Sequence, residues 1–192
     1  MMYKILTIKD EVRIPPSKIS ANIIASSKDS LEEALEGKII PGIGVFLAIP
    51  EVLNLGEGEI RPGDGAIFYP VEFKALVFKP EEQEVLPGEV VDITEFGAFI
   101  RIGPLDGLSH ISQLTNEKVF YDQKNNMFTC RKTKRTLKEG NIVRVRIVSV
   151  SLSKSKRKIS LTMRQPWLGA EDWIEMERKK LRKKAKSGKK TK

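Results

Sequence analysis

Two domains in series are the fold class that this 192-residue sequence predicts: an α+β domain over residues 1–82, then an all-β five-stranded barrel over residues 83–165. A short helix and a disordered basic tail are expected in residues 166–192. Three observations carry the prediction. Hydrophobic residues make up 40% of the chain, enough for two modest cores. Hydrophobic alternation lapses into charge at Pro80-Glu81-Glu82-Gln83, which marks a boundary. The charge divides at the same place, with 9 bases and 13 acids before it but 15 bases and 8 acids in residues 83–165. The net charge of +9 therefore belongs to the barrel and to residues 178–192, which hold ten bases and no acid.

In the first domain, Tyr3 to Lys9 reads as a strand, stopped by Ile14-Pro15-Pro16-Ser17. Ser17 offers a cap for a helix reaching Glu36, with Ile19, Ile23, Leu31, Ala34 and Leu35 at helical spacing. The small polar centre, Ala25 to Ser30, weakens that helix, and Ser30 with Glu33 is an alternative cap for a second, shorter one. Gly37 ends it. Ile43 to Ile49 reads as a buried strand and Val71 to Phe78 as a long one. Between them, Asn54 to Gly65 packs Gly56, Gly58, Gly63, Gly65 and Pro62 into twelve residues, so an irregular loop is expected. It has neither a Gly-Lys-Ser/Thr ending nor G-x-G-x-x-G before a helix, so it is not read as a nucleotide-phosphate loop.

The barrel begins after Pro87. Val90, Val91 and Ile93 form a strand that turns at Thr94-Glu95-Phe96-Gly97, and Ala98 to Ile102 alternates after it. Side chains two apart share a strand face, so Ala98, Ile100 and Ile102 point to the core while Phe99 and Arg101 share the other side. Leu108 to Ser112 supplies a third strand and His110, the one histidine of the chain. Ser112-Gln113-Leu114 reads as a helical turn, and residues 116–136 as an insertion with a turn at Tyr121 to Asn126 and a basic edge at Arg131 to Arg135, for which a solvated loop is the simplest account. Ile142 to Leu152 and Lys158 to Met163 supply the last two strands. Val143, Val145 and Ile147 alternate there with Arg144 and Arg146. Five strands around one turn of helix make the OB architecture.

Phe96, Phe99, Arg101 and His110 thus present aromatics beside a cation, a surface able to stack bases and attract phosphates. Arg144, Arg146 and Lys158 would add attraction. Two simpler readings compete: Phe99 packed beneath the insertion, and His110 hydrogen-bonded to hold the third strand. Catalysis is not expected, because the acids are scattered and one histidine cannot build an acid–base constellation. Cys130 stands alone, so neither a disulfide nor a cysteine-rich metal site is expected, and no cofactor or small-molecule substrate is implied. The charged first fifteen residues argue against a secretory signal, and no apolar run reaches the roughly 20 residues of a membrane helix. A cytoplasmic location is expected.

The ordered elements Gly88 to Ile100, Gly107 to Ser112, Val143 to Ile147 and Ile159 to Thr162 resemble the S1 RNA-binding domain. The resemblance implies a nucleic-acid platform of Phe96, Phe99 and His110, helped by Lys158. Ser151 to Lys156 lacks the acidic residue that many members carry there. The α+β domain ahead of the barrel, Pro62-Gly63-Asp64-Gly65, Val77 to Glu81, the Tyr121-Asp122 insertion and Leu161 to Pro166 together resemble the large stalk subunit of archaeal DNA-directed RNA polymerase, the seventh-subunit family. That likeness covers residues 2 to about 175. It implies docking on the polymerase core through the tip at Gly56, Gly58, Pro62, Gly63, Asp64 and Gly65. It also implies a heterodimer with the small helical stalk subunit of the same polymerase, and contact between the barrel and emerging single-stranded RNA. The alternative is a free-standing S1-domain protein of the exosome or of translation initiation. Trp167, Leu168, Trp173, Ile174 and Leu181 suggest a helix docked on the barrel or on the partner, with Lys179 to Lys192 disordered beyond it.

Overall fold

The computed structural model describes residues 2–153 and 157–188 and folds as two compact units, one over residues 2–80 and 152–153 and one over residues 81–151 and 157–188. In the first, β1 (Tyr3–Ile14) is followed by a 3-10 turn (Pro16–Lys18), α1 (Ile23–Leu35), β2 (Ile39–Ile40), β3 (Gly44–Leu55), β4 (Glu59–Ile60) and β5 (Ile67–Phe78). The antiparallel sheet has the order β1-β5-β3-β2, and β4 also pairs with β5. Leu31 of α1 packs into a core of Val12, Ile14, Phe46, Ile49, Val71, Phe73, Ala75 and Val77.

Several boundaries differ from expectation, each for a local reason. β1 continues past Lys9 because Lys9, Glu11 and Arg13 share the exposed face while Val12 and Ile14 alternate with them and are buried. Charge on one face does not end a strand. The helix starts at Ile23, not near Ser17. Asn22 caps it, its Oδ1 accepting from the Ala25 N–H at 3.2 Å, while Ser17 lies in the 3-10 turn. No second helix begins at Ser30. Ser26, Ser27 and Ser30 are buried, and the Ser27 hydroxyl donates to the Ile23 carbonyl at 2.7 Å, so the small residues form a packing face of one continuous helix. Gly37 follows at φ +71°, a left-handed conformation suited to the end of a helix. β3 outruns Ile49 and shifts register against β5 three times, once between Ala48 and Glu51, around Pro50. Such irregularity accommodates a proline that cannot donate to the ladder. Longer flanking strands, with β4 inside the glycine-rich stretch, leave less irregular chain there than expected.

The second unit comprises β6 (Val85–Thr94), β7 (Gly97–Arg101), β8 (Asp106–His110), a 3-10 turn (Ile111–Gln113), β9 (Val119–Asp122), β10 (Met127–Cys130), β11 (Thr136–Lys138), β12 (Ile142–Leu152), β13 (Arg157–Thr162), β14 (Gly169–Ala170) and α2 (Glu171–Gly188). The main sheet runs β13-β8-β7-β6-β12-β14, and a further β13–β12 pairing closes the five-stranded barrel. Val90, Ile93, Ala98, Ile100, Ile102, Val143, Val145, Ile147, Ile159 and Leu161 are buried.

The insertion carries strands on both sides of its basic edge, and Arg131, Lys132 and Lys134 are exposed in the turn between two of them. It forms its own antiparallel sheet, β11-β10-β9, with Phe128, Cys130 and Leu137 buried and the Tyr121 and Phe128 rings 5.6 Å apart. Burial pushes the Cys130 thiol above its ordinary pKa. α2 seats its first turns against this sheet: Trp173 and Ile174 are buried, the Trp173 indole donates to the Thr136 carbonyl at 3.2 Å, and Arg135 pairs with Glu177 at 2.8 Å. Leu181 is exposed, so it takes no part in that docking. The helix continues to Gly188, into the stretch expected to be disordered; residues 189–192 lie outside the described residues. Among the described residues no helix is long and apolar enough to cross a membrane.

Candidate nucleic-acid interface

The β6–β7 turn and the end of β8 build one surface. Thr94 and Gly97 are paired across the turn, and the Thr94 hydroxyl donates to the Gly97 carbonyl at 3.0 Å. Gly97 lies opposite His110, where a Cβ would come within 2.5 Å of the Ser109 carbonyl oxygen. Only glycine lets the strands approach so closely. The Ile111 N–H then donates to the Phe96 carbonyl at 2.9 Å, which holds the turn beside His110.

Phe96 and Phe99 meet edge to face, with centroids 6.1 Å apart and planes at 87°. Phe96 is 46% exposed. Phe99, partly exposed, lines an open groove of about 690 Å³ together with Leu105, Asp106, Leu108, Arg157, Lys158 and Ile159. The anticipated packing of Phe99 beneath the insertion is absent from that lining. His110 is exposed, and its Nδ1 lies 2.9 Å from the Ser112 hydroxyl and accepts from the Ser112 N–H at 3.3 Å. The ring therefore caps the following turn and stays at the surface. Arg101 pairs with Asp106 at 3.3 Å, an exposed pairing of about 0–1 kcal/mol that a phosphate can displace.

The remaining arginines stand apart. Arg144 lines a groove with Glu171, Ile174, Glu175 and Arg178, where acids of α2 offset its charge. Arg146 faces another groove, with Gln83, Gln113, Asn116, Thr162 and Arg164, and its buried Nε has no hydrogen-bond partner. Neither lines the groove beside Phe99. Arg157, which does, was missed in the sequence. The adjacent cations opening the last strand were the available signal, but alternation drew attention to one of them. Among the described residues no group of His, Cys, Asp and Glu side chains is arranged to hold a metal ion.

Residues 79–164 match the model of the S1 RNA binding domain, and residues 9–65 match that of the SHS2 domain found in the N terminus of Rpb7p/Rpc25p/MJ0397. Over 180 residues the chain is 37% identical to DNA-directed RNA polymerase subunit Rpo7 of Saccharolobus solfataricus, an alignment covering 93% of this chain and all of that protein. The chain belongs to the Rpo7 family. Rpo7 of Sulfolobus acidocaldarius is also 37% identical, over 92% of this chain and 97% of its own. DNA-directed RNA polymerase III subunit RPC8 of Saccharomyces cerevisiae is 35% identical over 96 residues, half of this chain and 45% of that one.

In this Rpo7-family chain the glycine-rich tip is held from within its own unit. Asp64 accepts from Arg13 through both carboxylate oxygens, at 2.7 and 2.8 Å, and from the Ala66 N–H at 3.1 Å. These bonds, that with Arg13 above all, hold the Asp64 carboxyl below the usual carboxylate range. Arg61 pairs with Glu11 at 2.6 Å and lies over the Phe68 ring. Gly56 donates its N–H to the Pro70 carbonyl at 2.8 Å, Gly58 lies against the Tyr69 ring, and Pro62, Gly63 and Gly65 are exposed in the turn. Ile60, 72% exposed, is the apolar residue this tip displays.

Proposed function

We propose that the chain is a non-catalytic stalk subunit of a DNA-directed RNA polymerase whose barrel binds the emerging single-stranded transcript. The observation that carries this reading is the 37% identity to Rpo7 across 93% of the chain, through both units. A free-standing S1 protein of the exosome or of translation initiation would need the barrel alone, so the match across the first unit favours the polymerase.

Within that reading, Phe96, Phe99 and His110 form the platform, with Arg157 and Lys158 attracting the backbone along the same groove and Arg101 at its edge. A base stacked on an aromatic contributes about 1–3 kcal/mol whatever its identity, because every base has a π face. The platform then holds a transcript with little regard to sequence, and its cations make the affinity fall with salt. Arg144 and Arg146 lie outside this path. The exposed tip at Pro62 to Gly65, with Ile60, docks on the polymerase core, and the small helical stalk subunit completes the heterodimer. Asp64 contributes by holding the tip in shape through Arg13 rather than by pairing with the core.

The test is purification of the tagged chain from its own cells, followed by mass spectrometry. Recovery of polymerase subunits, with a small helical protein in equal amount, is the expected result. Exosome subunits or ribosomes without polymerase would overturn the proposal.

A further inference from the structure

The inserted sheet carries a second collection of aromatic and basic groups, separate from the platform. Tyr121 and Phe128 share its packed face, whereas Phe120, one position earlier and paired with Thr129, lies on the other and is 46% exposed. The Arg131 guanidinium sits over the Phe120 ring, 5.3 Å from its centroid, and the Arg131 N–H donates to the Lys118 carbonyl at 3.5 Å. Residues 117–138 carry seven bases against two acids. Those two acids are engaged: Glu117 accepts from the Thr133 hydroxyl at 3.1 Å, and Asp122 accepts from Asn125 at 2.7 Å within its own turn.

Several exposed cations elsewhere are matched with acids, as in Arg13 with Asp64, Arg61 with Glu11, Lys74 with Glu51 and Arg101 with Asp106. Arg135, in the same hairpin, is paired with Glu177. By contrast Lys118, Arg131, Lys132 and Lys134 are exposed and form no ion pair among the described residues. Four unneutralised cations on this small sheet and its turn, one of them over an exposed ring, repel one another, and the ring leaves apolar surface in water. A polyanion with flat apolar faces relieves both penalties at once: phosphates neutralise the cations and a base covers Phe120.

We infer that Phe120, with Lys118, Arg131, Lys132 and Lys134, is a second binding site for single-stranded RNA. This rests on the reading of the barrel as an RNA-binding unit and extends it. Phe120 lies ten positions along the chain from His110, so the two sites lie within about 35 Å of each other. A transcript longer than the platform can engage both, and the second site then acts through local concentration.

The test uses the full chain and fluorescent oligouridines of 8 and 20 nucleotides, with affinity read by anisotropy over a salt series. Phe120→Ala should weaken the 20-mer about 5-fold, the low end of one stacked base, and Phe120→Trp should retain it. The double variant Arg131→Gln, Lys132→Gln should lower the salt slope by about 1.4, as for two phosphates no longer neutralised. The 8-mer, which the platform alone accommodates, should change less than twofold. A 20-mer carrying 4-thiouridine should crosslink to a peptide within residues 117–135. Unchanged 20-mer affinity with Phe120→Ala and no crosslink in that segment would overturn the inference while leaving the platform reading intact. Conversely, a response to Phe120→Ala with none to changes at Phe96, Phe99 and His110 would uphold this site and refute the platform. A duplex that responds while the oligouridine does not would also overturn it. Phe120 is exposed, so its replacement leaves the sheet core of Phe128, Cys130 and Leu137 in place.

Discussion

Replacing Phe96, Phe99 and His110 together with Ala tests the platform most sharply. Stacking contributes about 1–3 kcal/mol per base. The edge-to-face geometry at 6.1 Å means that the two phenylalanines do not offer two independent parallel faces to one base. A combined loss of about 2–4 kcal/mol is therefore expected, or about 30- to 1,000-fold in affinity, rather than the sum of three full stacks. Because Phe96 and His110 are exposed and Phe99 partly so, the melting temperature should fall by only a few degrees, and the heterodimer should persist. Anisotropy with an 8-nucleotide oligouridine measures the loss, and calorimetry measures the fold. Affinity within twofold of the parent, in a protein that melts normally, would refute the argument that this face binds RNA.

Three further outcomes follow from the geometry. Gly97→Ala places a Cβ 2.5 Å from the Ser109 carbonyl oxygen, so β7 and β8 must separate; destabilisation of about 1–3 kcal/mol and weaker RNA binding are expected by urea titration and anisotropy. Because the Asp64 pKa is depressed in the folded chain, the Arg13 clasp contributes fully above the ordinary carboxylate pKa of about 4 and is lost as pH falls through the lower folded value. Asp64→Asn should accordingly flatten the acid limb of the unfolding profile and weaken recovery of the polymerase core at neutral pH; a profile unchanged from the parent would show that the clasp is not linked to folding. Deleting residues 178–192 removes ten bases and should lower the salt slope of RNA binding by about 0.7 for each phosphate thereby left unneutralised, without abolishing binding. Complete loss would place the site in residues 178–192 instead of the barrel.

Where one periodicity dominated, the sequence was a sufficient guide. Ala98, Ile100 and Ile102 are buried and Phe99 and Arg101 face outward, as strand alternation requires. Ser26, Ser27 and Ser30 misled because small polar residues read as a helix break, and only packing shows that the sheet needs a close helix face there. The inserted sheet was hidden by its length: strands of four residues separated by charged turns carry too little alternation to outweigh the basic composition around them. Arg144 and Arg146 alternate correctly on β12, yet alternation reports which face of a strand a residue occupies, not what covers that face. Glu171 and Glu175 of α2 lie beside Arg144, a juxtaposition made by chain folding and invisible to local pattern. The same holds for Asp64, whose partner Arg13 lies 51 residues away.

That the barrel meets the transcript as it leaves a polymerase can be tested in stalled elongation complexes. These are assembled with the full chain and carry 4-thiouridine at successive positions of the nascent RNA. Crosslinks to this chain are expected once the transcript has cleared the enzyme, mapping to the peptide that spans Phe96 and Phe99. Efficient crosslinking to the other polymerase chains at every transcript length, with none to this one, would contradict that role.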